Sequence, residues 1–193
     1  MKLEVPIKEI KKCENIDEIK KAVLNLSDEW DIWEFRQRNY TVHKNTKSYP
    51  FFWGTDKNIL LNNNLIITKH NKNCEILNLI QDDLQYLMKY YDGKIVKIML
   101  SNLLKNKTIR EHIDDEYLLI NSHRLHLPII TNADIIFRIE EYSYNMEYGI
   151  WYEFDNTRFH GVINKSDIDR VHLMVDIIPN KLIENKNISI IYE

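Results

Sequence analysis

The segment HRLHLPII, at positions 123–130, decides the fold class because polar and apolar residues alternate along it. Successive side chains of an extended chain point to opposite sides, so Leu125 and Leu127 share one face. Arg124 and His126 share the other face. The alternation therefore predicts a β-strand that carries Arg124 and His126 on the same side.

Similar runs lie on both sides of this segment, each short and rich in Ile, Val and aromatic residues. Turn-like pieces at 131–132, 143–145 and 155–157 separate them. Several short strands at intervals of roughly 8–12 residues predict an all-β sandwich or barrel. The runs are KIVKIML (94–100), DIIFRIE (134–140), GIWYEF (149–154), FHGVIN (159–164) and RVHLMVDII (170–178), and ISIIY (188–192) is a further strand candidate.

The N-terminal part has a different character, because two segments carry apolar residues at helical spacing. These predicted helices cover 16–26 and 74–91, and Gly93 follows the second one as a helix stop. Strand candidates at 49–53 and 59–67 lie between them.

A length of 193 residues fits one domain. We expect a single mainly β (α+β) domain over 1–193, in which a helix-rich part, 1–93, packs on a sandwich core formed by 94–193. The sequence carries no signal for an oligomeric state.

Composition and charge argue against several classes of function. The formal net charge is -3 and the pI is ≈ 6.2, so no basic surface for nucleic acid is expected. No run approaches the about 18 apolar residues of a membrane span, and the charged N-terminus lacks the apolar core of a signal peptide. We therefore expect a cytoplasmic protein. Its two cysteines, Cys13 and Cys74, lack the spacing of a zinc site and are expected to be free thiols.

The motif His112-Ile113-Asp114 is the first candidate for chemistry. Residues i and i+2 of an extended segment point the same way, so an imidazole and a carboxylate reach one point in space. A third ligand from a distant strand completes a facial triad, which suits non-haem Fe(II) and leaves positions open for substrate and oxygen. His160, at the start of a predicted strand, is the candidate third ligand. The motif alone is common, and a pair of surface polar residues is the competing interpretation.

Arg170 lies ten residues after His160, on the next predicted strand. A guanidinium inside a sandwich is costly unless it meets an anion, and it can clamp a dicarboxylate through two hydrogen bonds. Ser166 is a candidate second donor. The competing interpretation of Arg170 is an ordinary salt bridge with Asp167, Asp169 or Asp176.

Four stretches with these residues stand in a specific order: EHIDD (111–115), HRLHLPIITN (123–132), GIWYEFDNTRFHGVINKS (149–166) and DRVHLMVD (169–176). Together they resemble the aspartyl/asparaginyl β-hydroxylase family of Fe(II)- and 2-oxoglutarate-dependent oxygenases. That family includes small hydroxylases of free proline and hydroxylases of aspartyl residues in proteins. One departure is the segment 104–107, where the family commonly has Pro-Gly ahead of the His-x-Asp motif.

The resemblance implies a double-stranded β-helix, which is a jelly roll of two facing sheets. It implies that His112, Asp114 and His160 bind Fe(II), and that Arg170, assisted by Ser166, binds the far carboxylate of 2-oxoglutarate. Because Asp114 completes the triad, the resemblance implies O2-dependent hydroxylation over halogenation. The substrate is then a free amino acid or an amino-acid residue of a peptide or protein.

Other residues have a less specific implied role. Arg124 and His126 face inward and meet the second carboxylate of 2-oxoglutarate or an acidic group of the substrate. Trp151 is a candidate substrate contact, although it and Phe154 also fit the core.

Several residues and two whole-protein interpretations stay open. Arg36 and His43 belong either to a substrate pocket or to a loop, and Asn164 either caps a turn or lines the pocket. His123 and His172 are expected to point away from the site. The alternatives for the whole chain are a non-catalytic binding module and a cupin-like metal-binding jelly roll, for which Arg170 has no evident role.

Overall fold

The computed structural model describes residues 3–26, 29–30, 33–55, 59, 62–70 and 75–193. The strands of this part of the chain form two sheets. In chain order they are β1 (Ile7–Lys12), β2 (Thr46–Thr55), β3 (Asn64–Lys69), β4 (Gly93–Leu103), β5 (Thr108–His112), β6 (His123–Ile130), β7 (Ile135–Ile139), β8 (Tyr142–Tyr144), β9 (Ile150–Phe154), β10 (His160–Asn164), β11 (Arg170–Pro179) and β12 (Ser189–Tyr192).

The larger sheet has the strand order β1-β9-β6-β11-β4-β2-β3-β12, and the smaller sheet has the order β5-β10-β7-β8. Consecutive strands β4 to β11 divide four and four between the two sheets, which is the arrangement of a jelly roll. The expected mainly β jelly roll is therefore confirmed. Strand β1 extends the larger sheet at one edge, and β2, β3 and β12 extend it at the other.

Three helices cover the outer face of the larger sheet. Ile19, Ile76 and Leu87 of three helices pack with Leu125 and Leu173 of the sheet in one buried cluster. Burial of such a side chain contributes about 1.5–3 kcal/mol, so this apolar face holds the helices on the sheet. These three are α1 (Ile16–Leu24), α3 (Glu75–Leu79) and α4 (Gln81–Tyr90). The described residues also form α2 (Phe35–Asn39), α5 (Tyr117–Asn121) and α6 (Asn180–Asn185), with a 3-10 turn at Thr41–His43.

Alternation along the strands directs the other side chains into the space between the two sheets. Phe154 of β9 packs there with Phe137 of β7 and Val162 of β10. Arg124 of β6 and Arg170 of β11 line the same space, although both belong to strands rich in apolar residues. The inner face of the larger sheet thus combines an apolar part with a buried charged part, and this charged part positions the site.

Most strands lie within a few residues of the predicted segments, and the differences have physical causes. The predicted helix at 74–91 is two helices, because Asp82 and Asp83 favour a new helix N-terminus after Ile80. The predicted turn at 143–145 is partly strand β8, since Ser143 pairs with Arg138. Strand β1 was not predicted, because its charged sequence IKEIKK pairs only at the sheet edge.

The eight jelly-roll strands lie in residues 93–179, and β1, β2 and β3 precede them in the chain and join the same larger sheet. Cys13 is a buried free thiol, and Cys74 lies outside the described residues. None of the described helices combines the length and apolar character that a transmembrane span requires.

Candidate active site

The predicted triad converges at one end of the smaller sheet. His112 ends β5 and is paired directly with His160, the first residue of β10. Asp114 follows two residues later, and its backbone N–H donates to the Asn156 carbonyl at 3.1 Å. One ligand atom from each of the three side chains lies within 4.8 Å of the other two.

Both imidazoles present the same nitrogen to this point. The Nδ1 of His112 lies 2.8 Å from the Arg110 carbonyl, and the Nδ1 of His160 lies 2.9 Å from the Arg158 carbonyl. A carbonyl only accepts, so each Nδ1–H donates and each Nε2 keeps its lone pair for a metal. The Nε2 atoms lie 3.7 and 4.0 Å from the Asp114 oxygens.

The electrostatics of the three residues suit a divalent cation. Burial alone would raise the pKa of Asp114, but Arg124 and the two histidines outweigh it and hold that pKa below its ordinary value. Burial lowers the pKa of His160 to about 4, so this ring is neutral at pH 7. Two imidazole nitrogens and one carboxylate form the donor set that non-haem Fe(II) takes in oxygenases, so the residues present fit iron.

Arg124 has partners within the protein that the sequence did not predict. Its Nε and Nη2 donate to the two oxygens of Asp176 at 2.9 Å each, and its Nη1 donates to Asp114. These two carboxylates engage three of the five N–H groups of the guanidinium, which orients Asp114 and leaves fewer donors for a carboxylate of 2-oxoglutarate or substrate. The register of β6 and β11, which places Arg124 opposite Asp176, determines this outcome.

Arg170 meets the condition for an anion site. Its side chain is 1% exposed, its Nε has no hydrogen-bond partner, and no ion pair to it exists among the described residues. The competing salt bridges are absent there, because Asp176 is held by Arg124 and Asp169 accepts from Asn102 and the Lys105 backbone. Burial, followed by the charge of Arg36, lowers the pKa of Arg170 to about 9, so it is charged at pH 7. A buried cation without a counter-ion fits the carboxylate of 2-oxoglutarate.

Ser166 does not face the site, contrary to the prediction. Its hydroxyl lies 2.6 Å from Asn164 Oδ1 and 3.1 Å from the Ile168 carbonyl, both of which accept hydrogen bonds. Asn164 in turn donates to the carbonyls of Leu103, Leu104 and Ile168. Asn164 therefore caps the turn between β10 and β11, and Ser166 stabilises the same turn.

Trp151 is also not a substrate contact. It is fully buried on the helix-covered face of the larger sheet, and its Nε1 donates to Asp83 at 2.8 Å. Phe154, three residues later on β9, lies on the inner face instead. Its ring is 4.9 Å from the His126 ring and 5.1 Å from the His160 ring.

Two further histidine predictions have opposite outcomes. His123 points away from the site, where its Nδ1 contacts Glu153 at 2.6 Å. His172 does not, because it lies two residues after Arg170 and shares its face. The Nδ1 atoms of His126 and His172 are 3.2 Å apart, and neither Nε2 has a partner among the described residues. Burial, and then Arg170, hold the pKa of both rings well below the ordinary value.

Two adjoining cavities, of about 180 and 40 Å³, meet at the triad. Arg170 and His126 line the smaller one, together with the apolar side chains of Phe137, Phe154 and Val162. Arg36 and His43 line both, which decides the open question about these two residues in favour of the pocket. The residues shared by both cavities are Arg36, His43, His112, Asp114, Arg124 and Met174.

Lys97 is among the residues of the larger cavity that the sequence did not single out. Trp53, Lys97, Asp176 and Arg124 are paired directly across β2, β4, β11 and β6. They form a row that runs from an aromatic ring to the carboxylate ligand Asp114. Lys97, Met99 and Ser101 lie two residues apart on β4 and therefore share one face. This alternation is the sequence signal for an inward-facing Lys97.

The chain resembles known proteins in sequence and in fold. A family model described as aspartyl/asparaginyl beta-hydroxylase matches residues 13–179. No curated protein matches the sequence significantly.

Solved structures share the fold at low sequence identity. An oxidoreductase of the 2OG-Fe(II) oxygenase family from Burkholderia pseudomallei is 13% identical, with a TM-score of 0.53 and coverage of 69% of this chain and 67% of that chain. A viral collagen prolyl hydroxylase from Paramecium bursaria Chlorella virus-1, in a 2OG complex, is 7% identical, with a TM-score of 0.59 and coverage of 90% and 96%. A prolyl hydroxylase from Trichoplax adhaerens, in complex with a hypoxia inducible factor peptide, is 14% identical, with a TM-score of 0.61 and coverage of 91% and 84%.

The fold, the triad and these comparisons define the class of protein, which is the Fe(II)- and 2-oxoglutarate-dependent oxygenases. Because the family model covers well over half of the chain, the protein belongs to the aspartyl/asparaginyl β-hydroxylase family. This membership favours an enzyme over the alternatives of a non-catalytic module or a cupin-like binding protein.

Proposed function

We propose that the enzyme hydroxylates an unactivated C–H bond of an amino acid or of an amino-acid residue. In the balanced reaction, substrate, 2-oxoglutarate and O2 give hydroxylated substrate, succinate and CO2. His112, Asp114 and His160 hold Fe(II), and Arg170 holds the far carboxylate of 2-oxoglutarate.

One observation carries this proposal: a buried Arg170, which has no counter-ion among the described residues, lies beside a triad whose ligand atoms converge within 4.8 Å. A binding module has no need for a buried cation without a counter-ion, which lowers stability until an anion arrives. The triad supplies a second attachment for the same dicarboxylate through the metal. The two features together match a ligand with an anionic group at each end.

When bound, ferrous iron and 2-oxoglutarate supply the oxidising chemistry, and the protein supplies orientation and a dry cavity. Arg124 fixes one oxygen of Asp114, and the Arg110 and Arg158 carbonyls fix the two imidazoles. Phe137, Phe154 and Val162 form an apolar wall that excludes water from the smaller cavity. His126, whose Nε2 has no partner among the described residues, is placed to hydrogen-bond the cosubstrate there.

The substrate belongs to one of two classes at this stage. The Trichoplax prolyl hydroxylase holds a peptide, which supports a residue within a peptide. The resemblance to small hydroxylases of free proline supports a free amino acid. Both classes use the same iron and cosubstrate site.

The test begins with anaerobic titration of the Fe(II)-loaded protein with 2-oxoglutarate, followed by absorbance and by succinate release with amino acids and peptides. His160→Ala removes one of three ligands and should abolish Fe(II) binding and succinate release. Arg170→Met should retain Fe(II) but lose about 10- to 100-fold in affinity for 2-oxoglutarate, since a charge-assisted hydrogen bond contributes about 1.5–3 kcal/mol. Arg170→Lys should recover part of that affinity.

The exposed histidine His70 provides a control, because His70→Ala changes the imidazole content without touching the triad. It should bind iron as the unmodified protein does. Full iron binding and turnover by His160→Ala would remove the triad assignment, and unchanged 2-oxoglutarate affinity in Arg170→Met would place the cosubstrate elsewhere.

A further inference from the structure

Lys97 is a buried cation with incomplete pairing. The residue lies on β4 and is 5% exposed, with Nζ 4.0 Å from the centre of the Trp53 ring. The nearest carboxylate oxygen, on Asp176, is 3.7 Å away, which is beyond hydrogen-bonding distance. An ammonium has three hydrogens to donate, and none finds an acceptor among the described residues. Lys97 therefore presents unused donors to the larger cavity that it lines.

Arg36 is a second cation of the same kind. Its side chain is 7% exposed and donates to the His43 ring, 2.8 Å from Nε2, with Met99 Sδ at 3.9 Å. Neither partner is an anion, and no carboxylate pairs with Arg36 in the described part of the chain. Asp114 and Asp176, the nearest candidates, are both held by Arg124. Burial, followed by the charge of Arg124, lowers the pKa of Arg36 to about 10, so it stays charged at pH 7.

The lining of the larger cavity also contains acidic residues. Asp115 and Glu116 line it directly after the triad residue Asp114. Tyr40 donates its hydroxyl to one oxygen of Glu116 and lines the same cavity. A ligand in this cavity therefore meets both cations and carboxylates.

The cavity is also small. Its volume of about 180 Å³ is below the roughly 300–1,000 Å³ of pockets for drug-sized ligands. It adjoins the triad, so a ligand held at Arg36 and Lys97 lies beside the reacting centre.

We propose that Arg36 and Lys97 form a carboxylate subsite, and that the substrate is a small free amino acid. Its α-carboxylate binds between the two cations, and its α-ammonium faces Asp115 and Glu116. An internal residue of a peptide has neither of these charges. This inference rests on the proposed function and selects one of its two substrate classes.

Ligand structure provides a test that needs no mutation. The twenty proteinogenic amino acids are titrated against the protein by Trp fluorescence and by the unfolding midpoint, first alone and then with Mn(II) and 2-oxoglutarate. Each amino acid that binds is compared with its carboxamide and with its N-acetyl carboxamide. We expect the carboxamide to bind at least tenfold more weakly, because the neutral group cannot pair with Arg36 and Lys97. Equal binding of acid and carboxamide overturns the proposal, and so does binding of no free amino acid.

Variants then assign the effect to the two cations. Lys97→Met and Arg36→Met should each weaken binding of the free acid about tenfold or more and leave binding of the carboxamide unchanged, and Lys97→Arg should retain part of the affinity. The control is Lys94→Met, which removes an exposed lysine from the same strand and should change neither ligand. Equal losses for both ligands would indicate a structural role and overturn the proposal.

Different results would overturn the carboxylate subsite and the proposed function. Succinate release with N-acetyl-aspartyl amide or a blocked peptide, but with no free amino acid, retains the oxygenase and overturns the carboxylate subsite. Absence of 2-oxoglutarate binding overturns the proposed function. The carboxylate dependence of amino-acid binding then still decides whether the subsite exists.

Discussion

Asp176 lies at the centre of the larger sheet, where its two oxygens accept hydrogen bonds from Arg124 and face Lys97. Burial alone would raise the pKa of Asp176, but the charge and hydrogen bonds of Arg124, and then Lys97, lower it to about 2. An unfolded Asp titrates near about 3.9. Because the folded pKa is the lower one, this pairing stabilises the protein above about pH 4 and is lost as the pH falls towards about 2.

Asp176→Asn should therefore destabilise the protein mainly at neutral pH. We expect the free energy of unfolding at pH 7 to fall by about 3–5 kcal/mol, since removal of one partner leaves Arg124 and Lys97 under-compensated in the interior. The deficit should shrink as the pH falls from about 4 towards about 2. Urea unfolding over this range measures it, with the exposed Asp167→Asn as the control. A deficit that does not depend on pH would show that shape, not charge, is what Asp176 contributes.

A Ser166 variant tests whether this residue stabilises the turn or binds 2-oxoglutarate. Its hydroxyl serves Asn164 and Ile168, so Ser166→Ala should lower the free energy of unfolding by about 0.5–1.5 kcal/mol. The affinity for 2-oxoglutarate should stay unchanged, in contrast to Arg170→Met. Parallel denaturation and anaerobic titration distinguish the two effects. A selective loss of 2-oxoglutarate affinity in Ser166→Ala would restore the role that the sequence suggested for this hydroxyl.

At the scale of single elements, strands β5 and β10 approach each other unusually closely beside the triad. A Cβ added at Gly161 would lie 2.9 Å from the Ile109 carbonyl oxygen and 3.1 Å from the Glu111 backbone nitrogen. Both atoms belong to the backbone of β5, which cannot move away without shifting His112. Glycine at 161 therefore permits the spacing that brings His112 opposite His160.

Gly161→Ala should push β5 away from β10. We expect a loss of about 1–3 kcal/mol in stability, as for overpacking in a core, together with weaker binding of Fe(II) or Mn(II). Val162→Ala, the next position on β10, is the control, because it removes buried volume without adding a backbone clash. Metal affinity is measured in both variants under conditions in which each is fully folded. A larger loss of affinity in Gly161→Ala is the expected result. If both lost metal affinity equally, general loosening of the sheet would explain the result.

The elements were largely predictable because periodicity is a local property. Alternation in HRLHLPII and RVHLMVDII placed β6 and β11 and put Arg124 and Arg170 on the inner face. The same rule, applied to β11, places His172 beside Arg170, and the expectation that it points away did not follow that rule. Strand β1 was not predicted, because four of its six residues are charged and it lacks a regular apolar alternation.

Contacts within the site were less predictable, since they depend on register between strands distant in sequence. Nothing in HRLHLPII indicates that Arg124 lies opposite Asp176, 52 residues later, rather than opposite a ligand. Alternation also separates Trp151 from Tyr152 without indicating which face of β9 the helices cover. From the sequence, Lys97 is only one polar residue in an apolar strand. The strand register is what places it in the row from Trp53 to Arg124.

At the scale of the whole molecule, the two histidine ligands belong to one sheet, and the arginine that holds Asp114 belongs to the other. His112 and His160 come from β5 and β10 of the smaller sheet, whereas Arg124 belongs to β6 of the larger sheet. Asp114 connects them, because it faces both imidazoles and accepts from Arg124. A metal bound at this point therefore links the two layers of the jelly roll and should bind only the folded chain.

This linkage predicts that a divalent metal raises the unfolding temperature of the entire protein. Mn(II), which is stable in air, at about 100 times its dissociation constant should add about 2.7 kcal/mol of stability. For a chain of this length that corresponds to a rise of roughly 5–10 °C in Tm. His160→Ala should show almost no rise at the same Mn(II) concentration, and His70→Ala should show the full rise. Calorimetry of the three proteins with and without Mn(II) checks the expectation. An equal rise in His160→Ala would locate the stabilising metal elsewhere.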